Sequence, residues 1–153
     1  MIKIVAVGRI KEKSMVSLIQ EYTKRMTTVH KLEIIELDNS KHKDSEVDKI
    51  IEDESQRLLS KVSDKEDLIL LDLKGKNISS PDLSKLMDKS LSNGRNIVFM
   101  IGGSHGVSDK VRREAKFIWK MSALTFPHQL VRLLLVEQIY RGFMIQKNHP
   151  YHK

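Results

Sequence analysis

Two stretches of this 153-residue chain have the composition of ligand-holding loops. Gly102-Gly103-Ser104-His105-Gly106 directly follows an apolar run. Glycines there either let backbone amides approach a ligand or permit a tight turn at positive φ. The first interval is wrong for a dinucleotide fingerprint, and no Gly-Lys-Ser/Thr follows to make a P-loop. Met121-Ser122-Ala123-Leu124-Thr125-Phe126-Pro127-His128 is nearly uncharged, although exposed loops are normally polar. It is expected to be buried or to line a pocket, its backbone bonding an adenine edge while Leu124 and Phe126 pack on the ring. A buried connection without a ligand is the other reading.

The remaining polar candidates lie near the C-terminal end. Arg132, Glu137, Gln138 and Arg141 interrupt an apolar helical segment, and Glu137 with Arg141 has the i,i+4 spacing of a simple ion pair. His149 and His152 lack a third ligand nearby, and the chain has no cysteine, so no metal site is expected. Asp72, within Leu71-Asp72-Leu73, suits either a ribose or the end of a strand. No Ser/His/Asp order or paired-carboxylate motif stands out.

These segments need a scaffold, and the pattern predicts one. Strands are expected at Ile2 to Val7, Leu32 to Leu37, Leu68 to Leu73, Asn96 to Ile101 and, more weakly, Phe117 to Met121. Between them Ser14 is expected to cap a helix to about Met26, and Ser45 with Asp48 to form a capping box. Ser80-Pro81 opens a third helix that Asn93-Gly94 stops, and a short one runs near Ser108 to Ala115. The last, from Pro127 to Gln146, is apolar all round. Such a helix either crosses the middle of the domain or buries its second face on another subunit. Alternating strands and helices mean an α/β fold with a mostly parallel sheet flanked by helices, in which ligands sit beyond the carboxyl ends of the strands. The segments after Leu73, Ile101 and Met121 are therefore the ones expected to meet at a site.

Composition bounds the rest. One domain over residues 1–153 is expected, with 40% hydrophobic and 31% charged residues. No apolar run reaches the roughly 20 residues that span a bilayer, and the start does not read as a signal peptide, so a cytoplasmic protein without a membrane partner is expected. There are 27 basic and 20 acidic residues, a net of +7. From His105 to Lys153 nine basic residues face three acidic ones, which makes a polyanion the expected partner of that third.

Val5-Ala6-Val7-Gly8, Leu71-Asp72-Leu73-Lys74-Gly75-Lys76, Ile101-Gly102-Gly103-Ser104-His105-Gly106, Leu124 to Arg132 and the terminal Tyr151-His152-Lys153 together resemble one family. It is that of the small bacterial ribosomal RNA large-subunit methyltransferases H, of the SPOUT (α/β-knot) class. The resemblance spans the whole chain in order. It implies S-adenosylmethionine as methyl donor, and as acceptor the position-3 nitrogen of a pseudouridine in helix 69 of 23S rRNA within the 70S ribosome. It also implies a C-terminal trefoil knot and a homodimer. The family's cofactor contacts fall on Leu71, Gly102, Met121, Ser122, Ala123, Leu124, Thr125 and Phe126. Arg132, Arg141, His128 and His152 are the candidates for handling the acceptor's proton or stabilising its anion. The alternatives are a SPOUT methyltransferase for another RNA site and a non-catalytic ribosome-binding module.

Overall fold

A computed structural model describes Met1 to Lys153. Five parallel strands, β1 (Ile2–Val7), β2 (Leu32–Leu37), β3 (Glu66–Lys76), β4 (Asn96–Ile101) and β5 (Phe117–Trp119), form one sheet in the order β2-β1-β4-β3-β5. The helices are α1 (Lys13–Met26), α2 (Val47–Leu59), α3 (Ser80–Ser92), α4 (Asp109–Glu114) and α5 (His128–Gln146).

Strand side chains alternate in direction, and here both directions are apolar. Ile2, Ile4, Ala6, Ile69, Ile97, Phe99 and Ile101 enter the larger core with residues of α1, α3 and α5. Val5, Val7, Leu68, Leu70, Val98 and Met100 enter the smaller one with Leu58 of α2 and Val111 of α4. The continuous apolar runs of β3 and β4 follow from burial on both faces. Parallel pairing sets the carboxyl ends of β1, β4 and β3 side by side, with Ala6 and Leu71 both opposite Ile101.

Several boundaries differ from expectation. Glu12 takes the position before α1, and the Ser14 hydroxyl donates to the Glu12 carboxylate instead of capping the helix. Glu46 precedes α2 without a side-chain cap, so Ser45 and Asp48 form no capping box. The box forms at α3 instead, where Ser79 Oγ accepts from Asp82 N and the Asp82 carboxylate accepts from Ser79 N. β5 ends at Trp119, short of Met121, whereas β3 runs on to Lys76. That extension is irregular: Trp119 pairs with both Leu71 and Lys76, and the residues between them bulge past β5. Lys120 N then donates to Lys76 O at 2.9 Å, and Asn77 Nδ2 to Lys120 O at 2.8 Å. A side chain at Gly75 would overlap the Ile118 carbonyl, which is why glycine stands at this close crossing.

Candidate functional site

A cavity of about 450 Å³ opens at the carboxyl ends of β3, β4 and β5, within the size range of small-molecule sites. Leu71, Ile101, Trp119, Met121, Phe126 and Val131 are among its apolar lining residues, and Asp72, Lys74, Arg112, Ser104 and His105 among its polar ones. The three segments expected to meet do meet here. Leu71, Gly102, Met121, Ser122, Leu124, Thr125 and Phe126 line the cavity; Ala123 lies in the same loop but outside the lining.

The glycine turn has a structural reason at two positions. Gly106 has φ +83°, and its N–H donates to Gly103 O at 3.0 Å, closing the turn. At Gly102 a Cβ would lie 2.7 Å from Val107 Cγ1 and 3.3 Å from the Gly106 carbonyl. The missing side chain thus makes room for the chain's own turn, beside whatever backbone approach a ligand makes. Helix α2 props the turn from below. Buried Ser55 accepts Ser108 N at 2.9 Å, and buried Glu54, under Gly103, accepts Ser40 N at 2.9 Å. Glu54 follows Ile50 and precedes Leu58 by four residues each, so a carboxylate inside that apolar stripe was its signal in the sequence.

The loop from Met121 to His128 lines the pocket but is not buried. Leu124 is 69% exposed and Leu73, also on the lining, 66%. Among the lining residues only Leu124 and Leu73 are large apolar side chains in such open positions. Trp119, 3% exposed on the cavity floor, has a buried Nε1–H without a hydrogen-bond partner. An unpaired buried donor is costly. Arg112, which the sequence offers with Arg113 as a phosphate contact, also lines the cavity. From α4 it reaches Asp72 Oδ2 through Nε and Nη2 at 3.2 and 3.0 Å and Asp109 through Nη1 at 3.0 Å. Asp72 Oδ1 also accepts Lys74 N at 2.8 Å, so this carboxylate is largely engaged.

The four proton-handling candidates separate. His128 borders the cavity as the exposed first residue of α5. Arg132 does not. Its side chain is 3% exposed, and it donates to Gly8 O, Val7 O and Glu36 at 2.8, 3.1 and 2.7 Å, clamping the end of β1 to β2 and α5. Burial lowers its pKa while Glu36 opposes that fall. Arg141 and His152 belong to a third group. Arg141 grips Glu137 Oε1 through Nε and Nη2 at 2.9 and 2.6 Å, a bond that raises its pKa. Tyr151 OH donates to the same oxygen at 2.9 Å, and its ring lies under the guanidinium carbon at 4.8 Å from the centroid. Burial, then bonds to Tyr22 and Glu137, push the Tyr151 phenol above its usual pKa. Arg141 Nη1 is 3.1 Å from His152 Nδ1. Arginine only donates, so Nδ1 accepts and the docked ring carries its proton on Nε2. None of these tail groups lines the cavity of its own chain.

Comparison with known proteins follows this geometry. Residues 1–152 match the family model described as "Predicted SPOUT methyltransferase". The ribosomal RNA large subunit methyltransferase H of Desulfitobacterium hafniense is 44% identical over 99% of this chain and 98% of that protein. The proteins of the same name from Enterococcus faecalis and Streptococcus gordonii are 45% and 46% identical, each over 99% of both chains. A probable methylase family protein from Haemophilus influenzae has the same fold, with TM-score 0.57 at 13% identity over 99% of this chain and 70% of that one.

Proposed function

Because the chain belongs to the SPOUT methyltransferase family, we propose that it methylates 23S rRNA from S-adenosylmethionine. The acceptor in this reading is the position-3 nitrogen of a pseudouridine in helix 69, reached on the assembled 70S ribosome. Relatives at 44–46% identity that are named for the large-subunit rRNA support the RNA class. The observation that carries the reading is the convergence of Leu71, Gly102 and the Met121 to Phe126 loop on one cavity.

The residues present fit the cofactor. The apolar lining residues suit an adenine and the polar ones an amino-acid end. When bound, S-adenosylmethionine supplies a methyl group on a sulfonium sulfur, lost in an in-line displacement that needs no metal. The chain's own work is positional. Backbone of the Gly102 turn and the Met121 loop fixes the donor, and the exposed Leu124 and Leu73 pack against what enters. The acceptor N–H must also lose a proton. His128 stands at the cavity and can accept it, whereas docked His152 has its lone pair committed to Arg141. His152 therefore serves as a base only after that contact opens. Arg132 is held as a clamp and Arg141 as the anchor of the tail.

The same reading includes a trefoil knot and a homodimer, with residues 1–153 working as one domain. Membership of the SPOUT family supports the threading. The half-buried Leu130, Leu133 and Leu134 of α5 support a second copy against that flank. The tail would then meet the partner's cavity, not its own.

The test is incubation with labelled S-adenosylmethionine and 70S ribosomes, free rRNA or tRNA, followed by mapping of the label. Label on the helix 69 pseudouridine of ribosomes is expected. Label elsewhere makes this a SPOUT enzyme for another RNA site, and ribosome binding without label makes it a non-catalytic module.

A further inference from the structure

We infer that the face built by α4, β5 and the β3 extension is the track along which the RNA backbone lies while the target base enters the cavity; this rests on the RNA methyltransferase reading above. Segments 72–76 and 109–120 hold seven basic and three acidic residues. Their excess of four is over half of the chain's net +7 in 17 of 153 residues. Internal pairing refines the count. Arg112 is committed to Asp72 and Asp109, and Lys116 to Asp67. Arg132 and Arg141, which raise the charge of the C-terminal third, are likewise neutralised by Glu36 and Glu137.

Lys74, Lys76, Lys110, Arg113 and Lys120 remain without a carboxylate partner, and all but the half-buried Lys120 are exposed. Structure brings them to one region. Lys110 and Arg113 share a face of α4 at i,i+3 while Val111 between them points into the core. Arg112 ties that helix to the end of β3, where Lys74 lies on the cavity lining. Lys76 and Lys120 are joined through their backbones at the β3–β5 crossing. Unpaired, solvated cations ringing one side of a base-sized cavity suit a phosphodiester backbone, since each neutralised phosphate releases counterions.

The experiment compares two doubly reversed chains with wild type for 70S ribosome affinity at several salt concentrations. Lys110→Glu with Arg113→Glu alters the proposed face. Lys61→Glu with Lys65→Glu makes the same charge change at the opposite, amino-terminal end of β3. Calorimetry with S-adenosylmethionine checks that each variant is folded and keeps its cavity. The face variant is expected to bind ribosomes at least tenfold more weakly. The slope of its log affinity against log salt should be shallower by about 2, near one for each lost phosphate contact. The control should keep the wild-type slope. Equal slopes in all three chains, or equal losses in both variants, overturn the assignment of this face while leaving the methyltransferase reading standing. Wild-type chain that binds neither S-adenosylmethionine nor ribosomes overturns both.

Discussion

Arg132 shows how a single side chain changes meaning once its surroundings are known. In the sequence it is a cation on an apolar helix and a candidate for the chemistry; in the fold it holds the Val7 and Gly8 carbonyls at the end of β1 and the Glu36 carboxylate. Arg132→Ala removes the donor these acceptors share, while Glu36 keeps the bond from Ile10 N and partial access to water at 29% exposure. A stability loss of ~2–4 kcal/mol is expected from urea unfolding, in the range for breaking a largely buried pair. An unchanged midpoint with lost methylation would return Arg132 to the catalytic candidates. Gly102 is the opposite case, a residue whose role is an absence. Gly102→Ala places a methyl 2.7 Å from Val107 Cγ1, so the turn from Gly103 to Val107 must shift where it lines the cavity. Calorimetry should show S-adenosylmethionine affinity at least tenfold weaker, about 1.4 kcal/mol, in a protein whose circular dichroism is unchanged. Wild-type affinity would mean that the turn tolerates the shift.

Elements are held together by pairs that periodicity does not reveal, and Asp67 at the start of β3 is the strongest of them. Burial opposes its ionisation, but bonds from Lys116, Ser90 and Arg95 prevail and bring its pKa down to about 2. A folded value below the unfolded one adds stability that is complete above the unfolded pKa and disappears as pH falls through the folded one. The contribution, about 2 kcal/mol, should therefore fade between about pH 4 and 2. Asp67→Asn should be less stable at neutral pH and show a flatter acid limb in urea unfolding between those values; parallel curves would remove Asp67 from the account. The strands and the longer helices were legible from apolar spacing, because burial on both faces of a parallel sheet leaves long unbroken runs such as Ile97 to Ile101. Helix starts were less so. Ser14 and Ser45 have the right chemistry for caps, yet the chain approaches α1 and α2 from directions that leave both out of place. The cavity was readable from strand ends and the apolar loop. The tie of Arg112 to Asp72, Glu54 and Trp119 were not, since their roles depend on contacts between α4 or α2 and strands far away in the chain, or on burial of one indole nitrogen.

At the scale of the whole molecule, α5 poses a question that one chain does not answer. Leu135, Val136, Ile139, Phe143 and Met144 are buried against α1, α3 and the sheet, yet Leu130, Val131, Leu133 and Leu134 stay half open. A separate groove of about 330 Å³ between α1 and edge strand β2 is half polar, with Gln20, Thr23, Glu36 and Arg132 beside Ile10, Val16, Ile19 and Ile34. An apolar helix flank left half open is the kind of surface a second copy of the chain covers. The tail fits that arrangement. Glu137 and Arg141 hold Tyr151 and His152 in place on α5, so the tail is an ordered element and not a frayed end, and it stands apart from its own cavity. Sedimentation at low concentration should give twice the 17.7 kDa chain mass. Composite sites make a second, independent demand. In a mixture of Gly102→Ala chains with chains truncated after Asn148, at S-adenosylmethionine too dilute to load the weakened cavity, each homodimer lacks one part of every site. A heterodimer holds one site with an intact cavity and an intact tail from the other chain. Partial methylation should then return in the mixture, up to about half of the wild-type rate per confirmed heterodimer, one complete site of two. A chain that sediments as a monomer removes the dimer, and a confirmed heterodimer without restored activity removes the shared site while leaving the dimer in place.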